Sequence, residues 1–308
     1  MENTRAKTTR NSLILLLTAT IWGMAFVSQS KGMDYMHPFT FNGVRSLIGA
    51  AGILVYILIS RKIAGDKAAK LDWKLNVRAG LLCGIFLTIA STLQQFGIKY
   101  TSVGKAGFIT TLYIIFVPMF GVFLKKKVAP VVWAAAGMAA VGMYLLCMTE
   151  SLRLGAGDIM VFLCAIAFAI QIMTVDHYAA RIDGAVVSCI QFTVCGVVCC
   201  IGALIWGQPT FGQIQEGLGA LLYAGVLSCG VGYTLQIVGQ KGLNPTVAAL
   251  IMSLESVIAT ISGWIAYKIG FLSTDQTLTP RQIAGCVIVF AAVILVQLPP
   301  EWFRFGKK

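Results

Sequence analysis

Glu255 is an acid near the middle of an apolar run, residues 247–265, that is long enough to cross a bilayer. A carboxylate at that depth is costly unless it faces a protein interior or a wet cavity. Three roles are open to it. It can bind a cationic or ammonium group on a solute. It can carry a proton that a solute replaces. It can also be structural, held by Arg45 or by hydroxyls and helix-end backbone. Gln29, Gln95, Gln171 and Gln236 also lie in apolar runs, and lipid cannot satisfy an amide. Trp22, Tyr113 and Tyr233 can stack on a planar solute, although aromatic side chains more often simply pack.

Helical spacing gathers these groups into stripes, since residues at i, i+4, i+7 and i+11 share a face. Gly84, Thr88, Ser91 and Gln95 form one stripe, and Thr18, Trp22, Ala25 and Gln29 another. Ala248, Met252, Glu255, Ala259 and Ser262 form a third. Ala167, Gln171 and Thr174 share a face, as do Gly225, Cys229, Gly232 and Gln236, with Tyr233 alongside. Any one small or hydroxylated residue is explained by helix packing, as in Gly80-x-x-x-Gly84. Together the stripes predict a shared polar cavity. Arg45 lies about a turn inside its apolar run and reads as snorkelling to the outer interface or as a pairing partner.

Reacting constellations are missing from the sequence. The two histidines, His37 and His177, fall on opposite sides of the expected membrane. No G-x-S-x-G, H-E-x-x-H or Walker loop is present. Nine cysteines with no C-x-x-C spacing support neither a disulfide framework nor a zinc site. The expectation is a protein that is not an enzyme and holds no cofactor or metal. Without an ATP site, any transport would run on a gradient, by proton or counter-solute coupling.

The elements carrying these residues must be membrane helices. Of 308 residues, 57% are hydrophobic and 12% charged, against about 25% charged in a soluble domain. Ten apolar runs approach the roughly 20 residues a spanning helix needs: 11–30, 39–60, 77–98, 105–124, 130–148, 157–175, 185–206, 217–238, 245–267 and 282–298. The third, fourth, eighth and ninth read as the weakest by hydropathy. With a cytoplasmic N-terminus, 17 basic residues fall inside and 6 outside, with Arg45 alone within a span. That bias places both ends in the cytoplasm and explains the +12 charge without a nucleic-acid partner. Trp206, Trp302, Tyr35 and Tyr267 read as interfacial anchors.

The chain also repeats. Thr92-Leu93-Gln94-Gln95-Phe96-Gly97 returns as Thr234-Leu235-Gln236-Ile237-Val238-Gly239, an offset of 142. The same offset sets 106–120 on 248–262 and Tyr113 on Glu255, while 41–45 falls on 187–191. Two five-span units, 1–148 and 149–308, are predicted. Five is odd, so the second copy would enter from the opposite side. Inverted repeats of this kind build secondary transporters with midplane sites.

Several motifs resemble the EamA family of the drug/metabolite transporter superfamily. They are Ile21-Trp22-Gly23, Arg45, the stretch from Thr101-Ser102-Val103-Gly104 to Phe116-Val117-Pro118, and Asn244-Pro245-Thr246 leading to Ser253-Leu254-Glu255-Ser256-Val257. Ser256 stands where the family usually has proline, which puts a helix kink there in question. Lys268-Ile269-Gly270-Phe271 replaces the usual closing Gly-Glu. The resemblance implies a ten-helix plasma-membrane carrier, often an exporter, for amino acids, sugars or other metabolites. The expected solute-binding residues are Trp22, Gln29, Ser91, Gln95, Tyr113, Gln171, Tyr233, Gln236 and Glu255. A channel-like facilitator and a non-transport membrane scaffold are the alternatives.

Overall fold

The computed structural model describes residues 2–65, 71–125, 128–147, 155–273 and 276–297. Lys67, Lys70, Lys126, Lys127, Arg153, Arg304, Lys307 and Lys308, which enter the charge bias, and the expected anchor Trp302 lie outside them. The described residues are all helical or connecting, with no strand.

Helices begin where short polar side chains can accept the free N–H groups of a first turn. His37 precedes α2 (Pro38–Ala64), and its Nδ1 accepts from Phe39 N–H at 3.4 Å. Burial and the nearby Lys99 ammonium hold this imidazole below its usual pKa, which favours the neutral, accepting form. Asp72 caps α3 (Trp73–Ile98) through Leu75 N–H, and Ser102 caps α4 (Val103–Thr111) through Lys105 N–H. Asp183 accepts from Ala185 and Val186 N–H at the start of α8 (Gly184–Gly202). Asn244, followed by Pro245 in the first turn, opens α12 (Pro245–Met252). The left-handed φ of +79° at Gly242 turns the chain into that cap.

α1 (Glu2–Gly32), α5 (Tyr113–Phe123), α6 (Pro130–Cys147) and α7 (Ala156–Tyr178) complete the first part of the bundle. After α8 come a wide π-helical turn (Ala203–Gly207) and the short α9 (Phe211–Glu216). α10 (Leu218–Leu222), a π-helical stretch (Tyr223–Gly232) and α11 (Tyr233–Gln240) together form one continuous span. α13 (Leu254–Lys268) and α14 (Pro280–Gln297) close the chain. Among the described residues, eight helices are long and apolar enough to cross a membrane. Two further apolar stretches, 130–142 and 280–295, lie within α6 and α14. The third, eighth and ninth runs are among the least apolar of these eight, as expected, whereas the fourth is not.

The bundle is polar inside and apolar outside. Leu54, Leu58, Ile63, Val197, Ile201 and Leu204 are exposed, whereas Gln95, Gln171 and Gln191 are fully buried. In water this distribution would leave a very large apolar surface uncovered; in lipid it is the stable one. The most extensive helix contacts are α2 on α8, α6 on α14, α3 on α7 and on α8, and α1 on α13. Each pairs a helix from the first half of the chain with one from the second.

Two helices break in the middle of the bundle, at Leu112 between α4 and α5 and at Ser253 between α12 and α13. Both breaks close with tight three-residue bonds: Ile115 N–H donates to Leu112 O at 2.9 Å, and Ser256 N–H to Ser253 O at 3.1 Å. At the second break, hydroxyls do what a proline would. Ser253 Oγ donates to Leu250 O at 2.7 Å, and Ser256 Oγ to Ser253 O at 2.8 Å. The helix is therefore interrupted there without the proline.

Candidate functional site

The two breaks bring Tyr113, first residue of α5, against Glu255, second residue of α13. The Tyr113 hydroxyl donates to Glu255 Oε1 at 2.9 Å across a separation of 142 residues. Both side chains are buried, at 2% and 4% exposure. They lie on a cavity of about 30 Å³ at the meeting of α1, α2, α3, α4, α5, α7, α11, α13 and the π-helical stretch. That volume holds one or two water molecules.

Of the nine expected residues, Trp22, Gln29, Tyr113, Gln171, Tyr233, Gln236 and Glu255 line this cavity. Ser91 and Gln95 do not. Ser91 Oγ accepts from Asn42 Nδ2 at 3.3 Å and lies 3.4 Å from Cys195 Sγ. Gln95 turns towards α1, where its Nε2 donates to the Gln29 carbonyl at 3.1 Å. Gln94 takes the lining position instead, and its Nε2 donates to Thr110 Oγ1 at 3.1 Å. The expected stripe on α3 was thus one residue out of phase. The repeat held the needed signal, because Gln94 stands 142 residues before Gln236. Gln29 and Gln171 have the same offset, and all four amides line the cavity.

Arg45 needs a correction. It does not reach the interface; it is 5% exposed and lines the cavity beside the residues named above. Its Nε donates to Asn42 Oδ1 at 2.8 Å, and its guanidinium sits 5.4 Å from the Phe41 ring centre. Asn42, one turn before it, holds the side chain inward, a contact that hydropathy alone does not reveal. Phe26, Thr110, Phe168, Ile172 and Ser228 complete the lining.

The walls are aromatic. Trp22 and Tyr233 rings lie 4.5 Å apart at 51°, and Phe192 meets Tyr233 edge-on at 4.9 Å. Gly232 makes room for the indole, since a Cβ there would come within 2.7 Å of Trp22 Nε1. Several buried polar atoms on the lining have no hydrogen-bond partner: Trp22 Nε1, Gln29 Oε1, Gln171 Nε2 and Gln236 Oε1. Unpaired buried polar atoms are uncommon and call for a bound partner. Among the described residues no cluster of His, Cys, Asp and Glu could hold a metal ion.

The family model described as "EamA-like transporter family" matches the chain twice, over residues 10–148 and 155–298. The chain belongs to this family. Family relatives include an uncharacterized transporter of Archaeoglobus fulgidus, 28% identical over 92% of this chain and 84% of its own length. The uncharacterized transporter YwfM of Bacillus subtilis is 24% identical over 94% of both chains. A crystal structure at 16% identity superposes with a TM-score of 0.74, covering 96% of this chain and 99% of its own; it supports the fold alone. Family and relatives together point to a multi-pass membrane transporter rather than an enzyme.

Removing the Tyr113 hydroxyl tests how the acid is held. Tyr113→Phe leaves Glu255 buried without its phenol donor, and leaving a buried polar group unsatisfied costs about 1–3 kcal/mol. A clear drop in thermal stability of the purified protein is expected, read by melting in detergent.

Proposed function

We propose that the chain is a secondary carrier that moves a small polar or amphipathic metabolite, such as an amino acid, outward across the plasma membrane by alternating access. In this reading ten helices form two inverted five-helix repeats, with both termini in the cytoplasm. The observation that carries it is the small polar cavity at the junction of two interrupted helices, with orphaned polar atoms on the residues that line it. Interrupted helices around a midplane cavity are how carriers of this build hold solutes. The repeat is supported by two successive family matches, by the contact between Tyr113 and Glu255 at equivalent positions, and by two pairs of equivalent glutamines on one cavity. The basic-residue bias supports the orientation.

Such a small cavity implies that solute enters when the halves rearrange, so flux should saturate and show counter-exchange. Proteoliposomes holding the full chain, preloaded with unlabelled amino acids and given labelled ones outside, should show accelerated exchange. Glu255→Gln should cut that exchange at least tenfold while the protein elutes as the same monodisperse species. Unsaturable flux without exchange would identify a pore, and unchanged exchange in Glu255→Gln would remove the acid from the mechanism.

A further inference from the structure

Two recesses on the surface of the bundle run into each other at one membrane boundary. The first, about 530 Å³, lies among the end of α2, the start of α3, the connection from α7 to α8 and the end of α11. Arg61 on α2, Arg181 in the connection and Lys241 directly after α11 line it. The second, about 420 Å³, is a groove between α2 and the span that ends in α11, walled by Ile53, Val226, Val231 and Leu235. Tyr56, Thr234 and Val238 line both, so the basic recess opens directly into the apolar groove. The groove forms because the two helices diverge. A Cβ on Gly49 would lie 2.6 Å from Cys229 Cβ, whereas one on Gly52, about a turn further on, meets nothing within 4 Å.

The cations of the recess remain available to a ligand. Lys241 Nζ donates to the Ile182 carbonyl at 3.2 Å and Arg181 Nη2 to the His177 carbonyl at 3.4 Å, both neutral acceptors. Among the described residues neither lies within ion-pair distance of a carboxylate. The acids on the lining, Asp72 and Asp183, accept from first-turn N–H groups of α3 and α8, where the helix dipoles offset their charge. Three basic residues against two capped acids leave the recess positive. We infer that the joined recesses hold an anionic phospholipid, its phosphate seated on Arg61, Arg181 and Lys241 and one acyl chain lying along the groove between α2 and α11. Basic pockets between membrane helices suit anionic headgroups, and an arginine fork matches phosphate oxygens. A choline headgroup would set its own cation among these three, and a free phosphate ion would use the basic end alone. The orientation proposed above puts the recess at the cytoplasmic leaflet, whose surface is the more anionic. A lipid seated there bridges α2, in the first family-matched stretch, to α8 and α11 in the second, so its binding should stabilise the fold.

The test takes the purified full chain in a non-ionic detergent and adds dioleoyl phosphatidylglycerol, dioleoyl phosphatidylcholine, glycerol 3-phosphate or inorganic phosphate. Native mass spectrometry counts bound lipid, and melting temperature reads stabilisation. Phosphatidylglycerol should form a discrete one-to-one adduct, bind about tenfold or more tighter than phosphatidylcholine, and raise the melting temperature. Glycerol 3-phosphate and inorganic phosphate at the same concentration should do neither. Arg181→Gln with Lys241→Gln should bring the two lipids to within about twofold of each other. Lys74→Gln with Arg78→Gln removes the same charge from exposed positions on α3 that do not line the recess, and should keep the preference. Gly52→Trp, which fills the groove and leaves the basic residues in place, should weaken phosphatidylglycerol about tenfold. If the Arg181 and Lys241 variant does not fold, the wild-type lipid comparison and Gly52→Trp decide. Equal binding of the two lipids overturns the inference, since the groove then takes any acyl chain. A shift with inorganic phosphate as large as with phosphatidylglycerol also overturns it, marking an ion site without a lipid. Equal loss of preference in the two double variants overturns it as well, because diffuse surface charge then accounts for the binding.

Discussion

Gly23→Leu is expected to abolish most folded protein. A Cβ on Gly23 would lie 2.6 Å from Ile258 Cβ and 2.7 Å from the Glu255 carbonyl oxygen, so α1 seats directly on α13 at the level of the acid. A backbone carbonyl cannot rotate away as a flexible side chain can, and overpacking a tight contact costs about 1–3 kcal/mol, with the upper end expected where backbone must move. The change would also shift Trp22, the adjacent residue on the cavity wall. Gly52→Leu is the control, because nothing lies within 4 Å of a Cβ there and the position is exposed. The yield of monodisperse protein and its melting temperature should fall sharply for Gly23→Leu and hold for Gly52→Leu. Equal behaviour of the two would mean that α1 does not pack as described.

Lys105→Met should destabilise the protein by about 1–3 kcal/mol, the scale for removing a charged partner from a partly buried hydrogen-bonded pair. Lys105 Nζ lies 2.6 Å from Asp158 Oδ2, and the Asp158 side chain is only 4% exposed. Thr101 Oγ1 and Gly155 N–H also donate to that carboxylate, at 2.8 and 2.9 Å. These contacts fasten the start of α7 to the turn before α4. Without the ammonium the carboxylate stays buried with two neutral donors. Adding Asp158→Asn to Lys105→Met should recover at least half of the loss, and a double-mutant cycle on melting temperature measures the coupling. A coupling below about 1 kcal/mol, typical of a solvated pair, would show that the bridge does not hold this junction.

Much of the architecture was written in local sequence. The apolar runs became helices whose ends match polar caps at His37, Asp72, Ser102, Asp183 and Asn244. The depth of Glu255 was legible because one acid stood in an apolar run. Arg45 was misread because depth from a helix end says nothing about the face a side chain takes, and Asn42 turns it inward. Gln94 was passed over for Gln95 because a stripe read from spacing alone has no fixed phase. Here α3 packs on α7 and α8, and those neighbours set the phase. The break at Leu112 has no local marker. Pro118 sits six residues further on, inside α5, and the interruption at 112 depends on packing across the bundle.

The contact between Tyr113 and Glu255 bears on how such a molecule could be assembled from smaller pieces. The two residues stand 142 apart, one in each family-matched stretch, and they meet. A homodimer of the first stretch alone would set phenol against phenol there, and a homodimer of the second would crowd two acids together in a low-dielectric interior. A single chain carrying both stretches is free to set a phenol donor opposite a carboxyl acceptor, with different chemistry on the two sides of one contact.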